Sequence, residues 1–303
     1  MDFFQYAKLY ADPFGAPDVP SPFALRRISA ILTWLVAQTP FVYDRATAFA
    51  GSPAERHLLA AAILTNYLCL LGAAVVVSRM VEILRPDTRD LPPLFGGLLC
   101  FFAFNTPAHI LTGMTDGVSA LLAALFLLAL IQGRYGLACA WVALSLFQRE
   151  TLCLMAAAFG GALYLERRDR SWMVAFAALV AAAAYIYIRA AVAVGYPNHT
   201  DPQAILDAFT GFRLDREFVF QALLVHNLLF VCIGLRLARR LTGLEPTLFR
   251  GLCMSFALIF AAGFAAQLGN GVGRLEGVLV PVEALLIACA LSAPPRPRAV
   301  ADA

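Results

Sequence analysis

The chain is a succession of apolar blocks, nearly free of charge, separated by short connections that carry arginine. The blocks lie at about residues 58–78, 94–112, 117–132, 136–148, 151–165, 172–194, 218–238, 251–268 and 277–292. Inside a bilayer such a block has one stable form, the α-helix, because every backbone N–H and C=O is then satisfied within the segment. The pattern is not the alternating ten-residue one of a transmembrane barrel. Composition agrees: 61% hydrophobic, 14% charged and a mean hydropathy of +0.74, against about 45–50% and about 25% in soluble domains. An ordinary soluble enzyme, a disordered chain and a nucleic-acid-binding module are excluded. The predicted fold is all-α, a polytopic transmembrane bundle of about 9–10 membrane helices at roughly 25–30 residues per span and loop.

Three regions are expected. Residues 1–57 form an outer loop with an interfacial helix, 58–292 the membrane bundle, and 293–303 a disordered cytoplasmic tail. Residues 1–26 are polar to mixed and carry Pro13, Pro17, Pro20 and Pro22, with no signal-peptide pattern after Met1. The apolar stretch 28–43 is short and contains Pro40, which favours a helix lying in the membrane interface over a span. The seven cysteines, Cys69, Cys100, Cys139, Cys153, Cys232, Cys253 and Cys289, lie in or beside apolar segments with no CxxC pair. They read as small buried hydrophobes.

Orientation follows from the arginine connections. With strict alternation, the groups Arg79–Arg85–Arg89, Arg134, Arg167–Arg168–Arg170, Arg236–Arg239–Arg240–Arg250 and Arg296–Arg298 share one side. That side is read as cytoplasmic, in a bacterial inner membrane, with the C-terminus on it. Blocks 136–148 and 151–165 are short for a ~30 Å hydrocarbon core. A single kinked helix would reverse the downstream parity, so a hairpin with Arg149 and Glu150 at its tip is preferred.

Ionisable groups between apolar spans usually face a cavity or a partner. Asp116, in GMTDGVSALLAALFLLAL, reads as a carboxylate at a cavity mouth or as a helix-start residue, and the two are compatible. Arg149 and Glu150 interrupt LSLFQRETLCLMA. Arg149 suits a phosphate, which a guanidinium meets in bidentate fashion; the plainer reading is a self-neutralised pair at a tight turn. His109 and Asn105 precede Asp116, and a packing role for His109 competes with a ligand role. Glu283 lies within the last span, Arg274 and Glu276 in the connection before it, and Asn198-His199-Thr200 is taken as a chance acceptor pattern.

The arrangement resembles the GT-C superfamily of membrane glycosyltransferases, in its bacterial and largely uncharacterised branch. Asp2-Phe3-Phe4-Gln5-Tyr6 loosely matches the D-x-x-x-Y of the family's first outer loop. Pro22-Phe23-Ala24-Leu25-Arg26 matches a P-F-x-x-R leading into an amphipathic helix. Thr115-Asp116 opens a long apolar helix, and Gln148-Arg149-Glu150-Thr151 stands at the basic hairpin tip. The resemblance covers most of the chain in order, although each motif alone is weak. It implies sugar transfer from a polyprenyl-phosphate donor at the outer face of the membrane to a glycan or lipid acceptor.

By that resemblance Asp2 and Asp116 would be the catalytic carboxylates, Arg149 would hold the lipid phosphate beside Glu150, and Arg26 would help bind donor or acceptor, with His109 nearby. The chemistry fits these types. Glycosyl transfer passes through an oxocarbenium-like state, a carboxylate activates the acceptor hydroxyl, and a cation stabilises the leaving phosphate. There is no Gly-rich βαβ signature and no nucleotide cofactor is expected; whether the acids take a divalent cation stays open. One departure is that the family has a transmembrane helix ahead of its first acidic loop, whereas Asp2 here follows Met1. The expectation is therefore a start further upstream or a member without that helix. The competing readings are a small-solute or lipid transporter and a non-catalytic membrane subunit.

Overall fold

A computed structural model describes residues 3–15, 19, 26–42, 52–86, 91–102, 116–148, 151–166, 170–194, 246–265 and 279–292. Among them every regular element is an α-helix. In chain order they are α1 (Phe3–Ala11), α2 (Arg27–Ala37), α3 (Pro53–Leu84), α4 (Leu91–Phe101), α5 (Asp116–Ile131), α6 (Tyr135–Ser145), α7 (Thr151–Leu165), α8 (Arg170–Val194), α9 (Pro246–Ala265) and α10 (Val280–Leu291). The all-α expectation is met. The expected block 218–238, residues 195–217 before it and the expected tail 293–303 lie outside the described residues.

α3 is the one described helix long and apolar enough to cross a bilayer. Its 32 residues span roughly 48 Å at 1.5 Å per residue. It begins at Pro53, five residues ahead of the apolar block, because the sequence supplies a complete start signal. Ser52 Oγ accepts from the Glu55 backbone N–H, the Glu55 carboxylate accepts from Ser52 N–H at 2.7 Å, and Pro53 takes the first turn. α4 covers the first part of the expected block 94–112 and ends at Phe101; residues 103–112 lie outside the described residues. α5 and α6 are separated by a left-handed Gly133 at φ +68. Gly133 N–H donates to Leu130 and Arg134 N–H to Ala129, the paired closure that ends a helix on glycine.

α3 packs against α1, α2, α4, α5 and α10, while α6 to α9 pack on α5 and on one another. Tyr67 of α3 meets Phe101 while the Ser78 hydroxyl donates to Pro93 O at 2.8 Å, so α4 runs antiparallel to α3. Asn66 meets Gly117 and Gly72 meets Leu121, so α5 runs parallel. Edge-on contacts of Phe126 with Phe159 and Phe176 join α5 to α7 and α8. Tyr135 packs on Trp172, which puts the start of α6 and the start of α8 at one end. α6 and α7 therefore form two antiparallel helices, as the hairpin expectation required. Arg250 pairs with Glu166, joining the start of α9 to the end of α7.

Two ends result. One gathers Asn66 of α3, the starts of α2 and α5 and the turn after α6; toward the other lie Arg85, Arg134 and Arg250. The core between them is apolar and continuous from Cys69 and Val77 through Phe126 and Met155 to Leu252 and Leu285. Small residues allow close approach. A side chain at Gly96 would meet Ala288 Cβ at 2.9 Å, the kind of small-residue contact that packs helices in membranes. The outward face is apolar as well: Leu68, Leu71 and Val75 on α3, and Leu94 and Leu98 on α4, are exposed together with Phe102 just beyond it. Contiguous exposure of this kind marks contact with lipid or another protein.

The first 42 residues depart from the sequence reading. They hold a helix, α1, where only polar and mixed chain was expected. Tyr6, Ala7, Leu9 and Tyr10 bury one face of it against Ala30, Leu59 and Ala62. α2 has 11 residues, roughly 16 Å, about half the hydrocarbon thickness. That length is in keeping with the expected non-spanning helix. His57 Nε2 bonds to Ala37 O at 2.9 Å, tying the end of α2 to the start of α3.

Candidate functional site

The polar residues of the first end come from five separate helices or turns. α1 contributes Tyr6 and Tyr10, one helical turn apart, with rings stacked at 5.8 Å and 14°. Both are fully buried. The start of α2 contributes Arg26, whose guanidinium carbon sits 5.5 Å from the Tyr6 ring centroid. A cation over an aromatic face is attracted by the ring quadrupole, more strongly where water is excluded. Arg26 is 8% exposed. Its neighbour Arg27 has a different task. It donates to Pro13 O at 2.8 Å and Gly15 O at 3.0 Å, so it pins the chain that leaves α1.

Asp116 opens α5 and is 8% exposed. At a helix start its charge is favoured by the helix dipole. The backbone around it is fixed from α3. Asn66 Oδ1 accepts from Gly117 N–H at 2.9 Å, and Asn66 Nδ2 donates to Ala62 O at 2.9 Å. The approach is so close that a side chain at Gly117 would meet the Asn66 carbonyl oxygen at 2.5 Å; only glycine fits. Tyr10 lies within electrostatic reach of Asp116. Burial first, and the Asp116 negative charge second, push the Tyr10 phenol above its ordinary value. Both effects favour the protonated phenol.

The turn after α6 supplies Gln148, 1% exposed. Its Oε1 accepts from Ser29 N–H at 3.0 Å and from the Ser29 hydroxyl at 2.6 Å, and Phe147 O accepts from Ile28 N–H at 3.1 Å. These bonds join residues 119 positions apart.

Of the residues singled out from sequence, Arg26 and Asp116 are described and belong to this one cluster. Asp2, His109, Arg149 and Glu150 lie outside the described residues, as do Asn105, Thr115, Arg274 and Glu276. Gln148 and Thr151, which flank the Arg149–Glu150 pair in the chain, are both buried. Glu283 is buried in the first turn of α10 and belongs to a different contact region, with α4 and Cys100. Sequence reasoning missed Tyr10 and Asn66, and named Gln148 only within the hairpin-tip stretch, with no role of its own. Asn66 was findable, being an amide inside the apolar run LLAAAILTNYLCLLG, where an unsatisfied polar group is costly. Among the described residues no three His, Cys, Asp or Glu side chains come together as a metal-binding group. Set beside known proteins, the chain matches no family model, no curated protein and no solved structure.

Chemically the cluster offers a carboxylate, a protonated phenol and a guanidinium in a place nearly free of water. Electrostatic interactions there are stronger than at a surface, because the effective dielectric is lower. Such a set can orient a hydroxyl and hold an anion.

Proposed function

We propose that the chain is a multi-pass inner-membrane protein of the glycosyltransferase kind, transferring a sugar from a polyprenyl-phosphate donor at the outer face to a glycan or lipid acceptor. One observation carries the reading. Residues from all four loosely matching stretches meet at one end of the bundle. Tyr6 of the first lies under Arg26 of the second. Tyr10, stacked on Tyr6, feels Asp116 of the third. Gln148 of the fourth bonds Ser29, three residues after Arg26. In this reading Asp116 and Asp2 act on the acceptor hydroxyl, and Arg26 and Arg149 hold the phosphate that leaves.

The membrane reading is supported by α3, by the exposed apolar faces of α3 and α4, and by the grouping of Arg85, Arg134 and Arg250 at the opposite end. With the Arg85–Arg134–Arg250 end taken as cytoplasmic, this reading has Asp116 and Arg26 outside and the C-terminus within. A second reading, a non-catalytic membrane subunit, is favoured by the near-complete burial of Tyr6, Tyr10, Arg26 and Asp116. There the cluster only locks helices together.

Native mass spectrometry of the purified protein with a polyprenyl phosphate separates the two. The transferase reading expects binding that is lost in Arg149→Ala and weakened in Arg26→Ala, while Asp116→Ala still binds but transfers no sugar. Absence of binding in the wild type, or binding indifferent to both arginines in folded variants, supports the subunit reading.

A further inference from the structure

The start of α2 is poorly encoded by its own sequence. Its N-cap residue is Arg26, which makes no side-chain cap bond, and the first turn carries no acidic residue. Arginine at a helix N-terminus also opposes the helix dipole, which favours negative charge there. The amide groups of the first turn lack partners within the helix, so something else must hold them. The turn after α6 does so. Phe147 O takes Ile28 N–H, and Gln148 Oε1 takes both Ser29 N–H and the Ser29 hydroxyl. Gln148 and Ser29 are 1% and 2% exposed, so water does not compete. The helix is capped by a side chain 119 positions further along the chain.

We infer that Gln148 is a positioning residue for Arg26: by capping α2 through Ser29 it holds the guanidinium in the place from which it engages an anionic phosphate group. The inference rests on the reading of Arg26 as a phosphate-binding residue. The geometry gives it content beyond that reading. Arg26 is the residue immediately before the first turn of α2, so its backbone moves with that turn. Its guanidinium also lies over the Tyr6 ring, a contact that is broad and weakly directional. The hydrogen bonds of Gln148 are short and directional. They fix where α2 starts, and α1 follows through Arg27, Pro13 and Gly15.

Two measurements on the full chain test this. The first is amide hydrogen exchange over residues 26–37 in wild type and Gln148→Leu, with exchange at Ile28 and Ser29 expected to rise at least tenfold in the variant. Unchanged exchange overturns the cap. The second is polyprenyl phosphate binding, with the parent polyprenol and inorganic phosphate as separate probes, in Arg26→Ala, Gln148→Leu and the double variant. Gln148→Leu is expected to bind about tenfold more weakly. The double variant should bind no more weakly than Arg26→Ala alone, because Gln148 acts through Arg26. Additive losses would show a general structural role and overturn the proposal. Ser29→Ala removes only the 2.6 Å bond and is expected to weaken binding about threefold. It carries the same cycle with Arg26→Ala if Gln148→Leu does not fold. Wild-type protein that binds no polyprenyl phosphate overturns the phosphate reading itself, before any substitution is considered.

Discussion

The two ends of the bundle use polar side chains in opposite ways. At the end of Asp116, polar groups are buried and bonded between elements far apart in the chain: Asn66 to Gly117, Gln148 to Ser29, Arg26 on Tyr6. At the end of Arg250, the ion pairs are partly or largely exposed. Arg79 and Glu82 are neighbours on one helix and largely exposed, and Arg250 meets Glu166 with its own side chain half exposed. Arg134 is exposed beside the Gly133 turn. Arg85 alone among these arginines is buried. Exposed pairs contribute little, about 0–1 kcal/mol, because water and salt screen them. Buried polar groups must be matched to particular partners or they destabilise. The first end is therefore specified largely residue by residue, whereas the exposed pairs of the second tolerate exchange and buried Arg85 does not. That is the distribution expected if chemistry resides at the first end.

This contrast sets an order of effects. The largest is expected for Gly117→Val. The new side chain meets backbone and side-chain atoms of Asn66, and overpacking of that kind costs about 3 kcal/mol; thermal unfolding in detergent should show a midpoint well below wild type. An unchanged midpoint would mean that α3 and α5 do not approach as described. Asn66→Leu comes next. It leaves the Gly117 N–H buried without its acceptor, for about 2 kcal/mol. A smaller loss would show that water enters this end, and the contrast would be weaker than drawn.

At the opposite end the effects should shrink. Gly133→Ala places a side chain on a residue with positive φ but with nothing within 4 Å, so only backbone strain remains, about 1 kcal/mol. Glu166→Gln removes a charge from a pair whose arginine is half exposed and is expected to change stability by about 1 kcal/mol or less. If it matched Asn66→Leu in a stability assay, the distinction between the ends would fail.

Much of this was legible in the sequence, for identifiable reasons. Helix blocks 117–132, 151–165 and 172–194 match α5, α7 and α8 closely, because apolar runs end where arginine, glycine or a polar residue begins. The hairpin of α6 and α7 followed from charge parity alone. The start of α3 was misplaced at 58 although Ser52-Pro53-Ala54-Glu55 spells a helix start. α1 was missed because the prolines after residue 12 dominated the reading, while Phe3, Tyr6, Ala7 and Tyr10 already stood at helical spacing.

By itself the sequence determined that this protein is helical, that its helices are wrapped in apolar surface, and which connections carry the positive charge. Those are consequences of local composition and period, which a chain expresses wherever it goes. It also singled out Arg26 and Asp116 as charges in costly places. Only the tertiary structure decided that they share one cluster, that Tyr6 and Tyr10 stand beside them, and that Gln148 caps a helix 119 positions away. A hydrogen bond between distant segments has no period and leaves no local trace. It exists because burial removes water as a partner, and the side chain that packing brings near must take water's place.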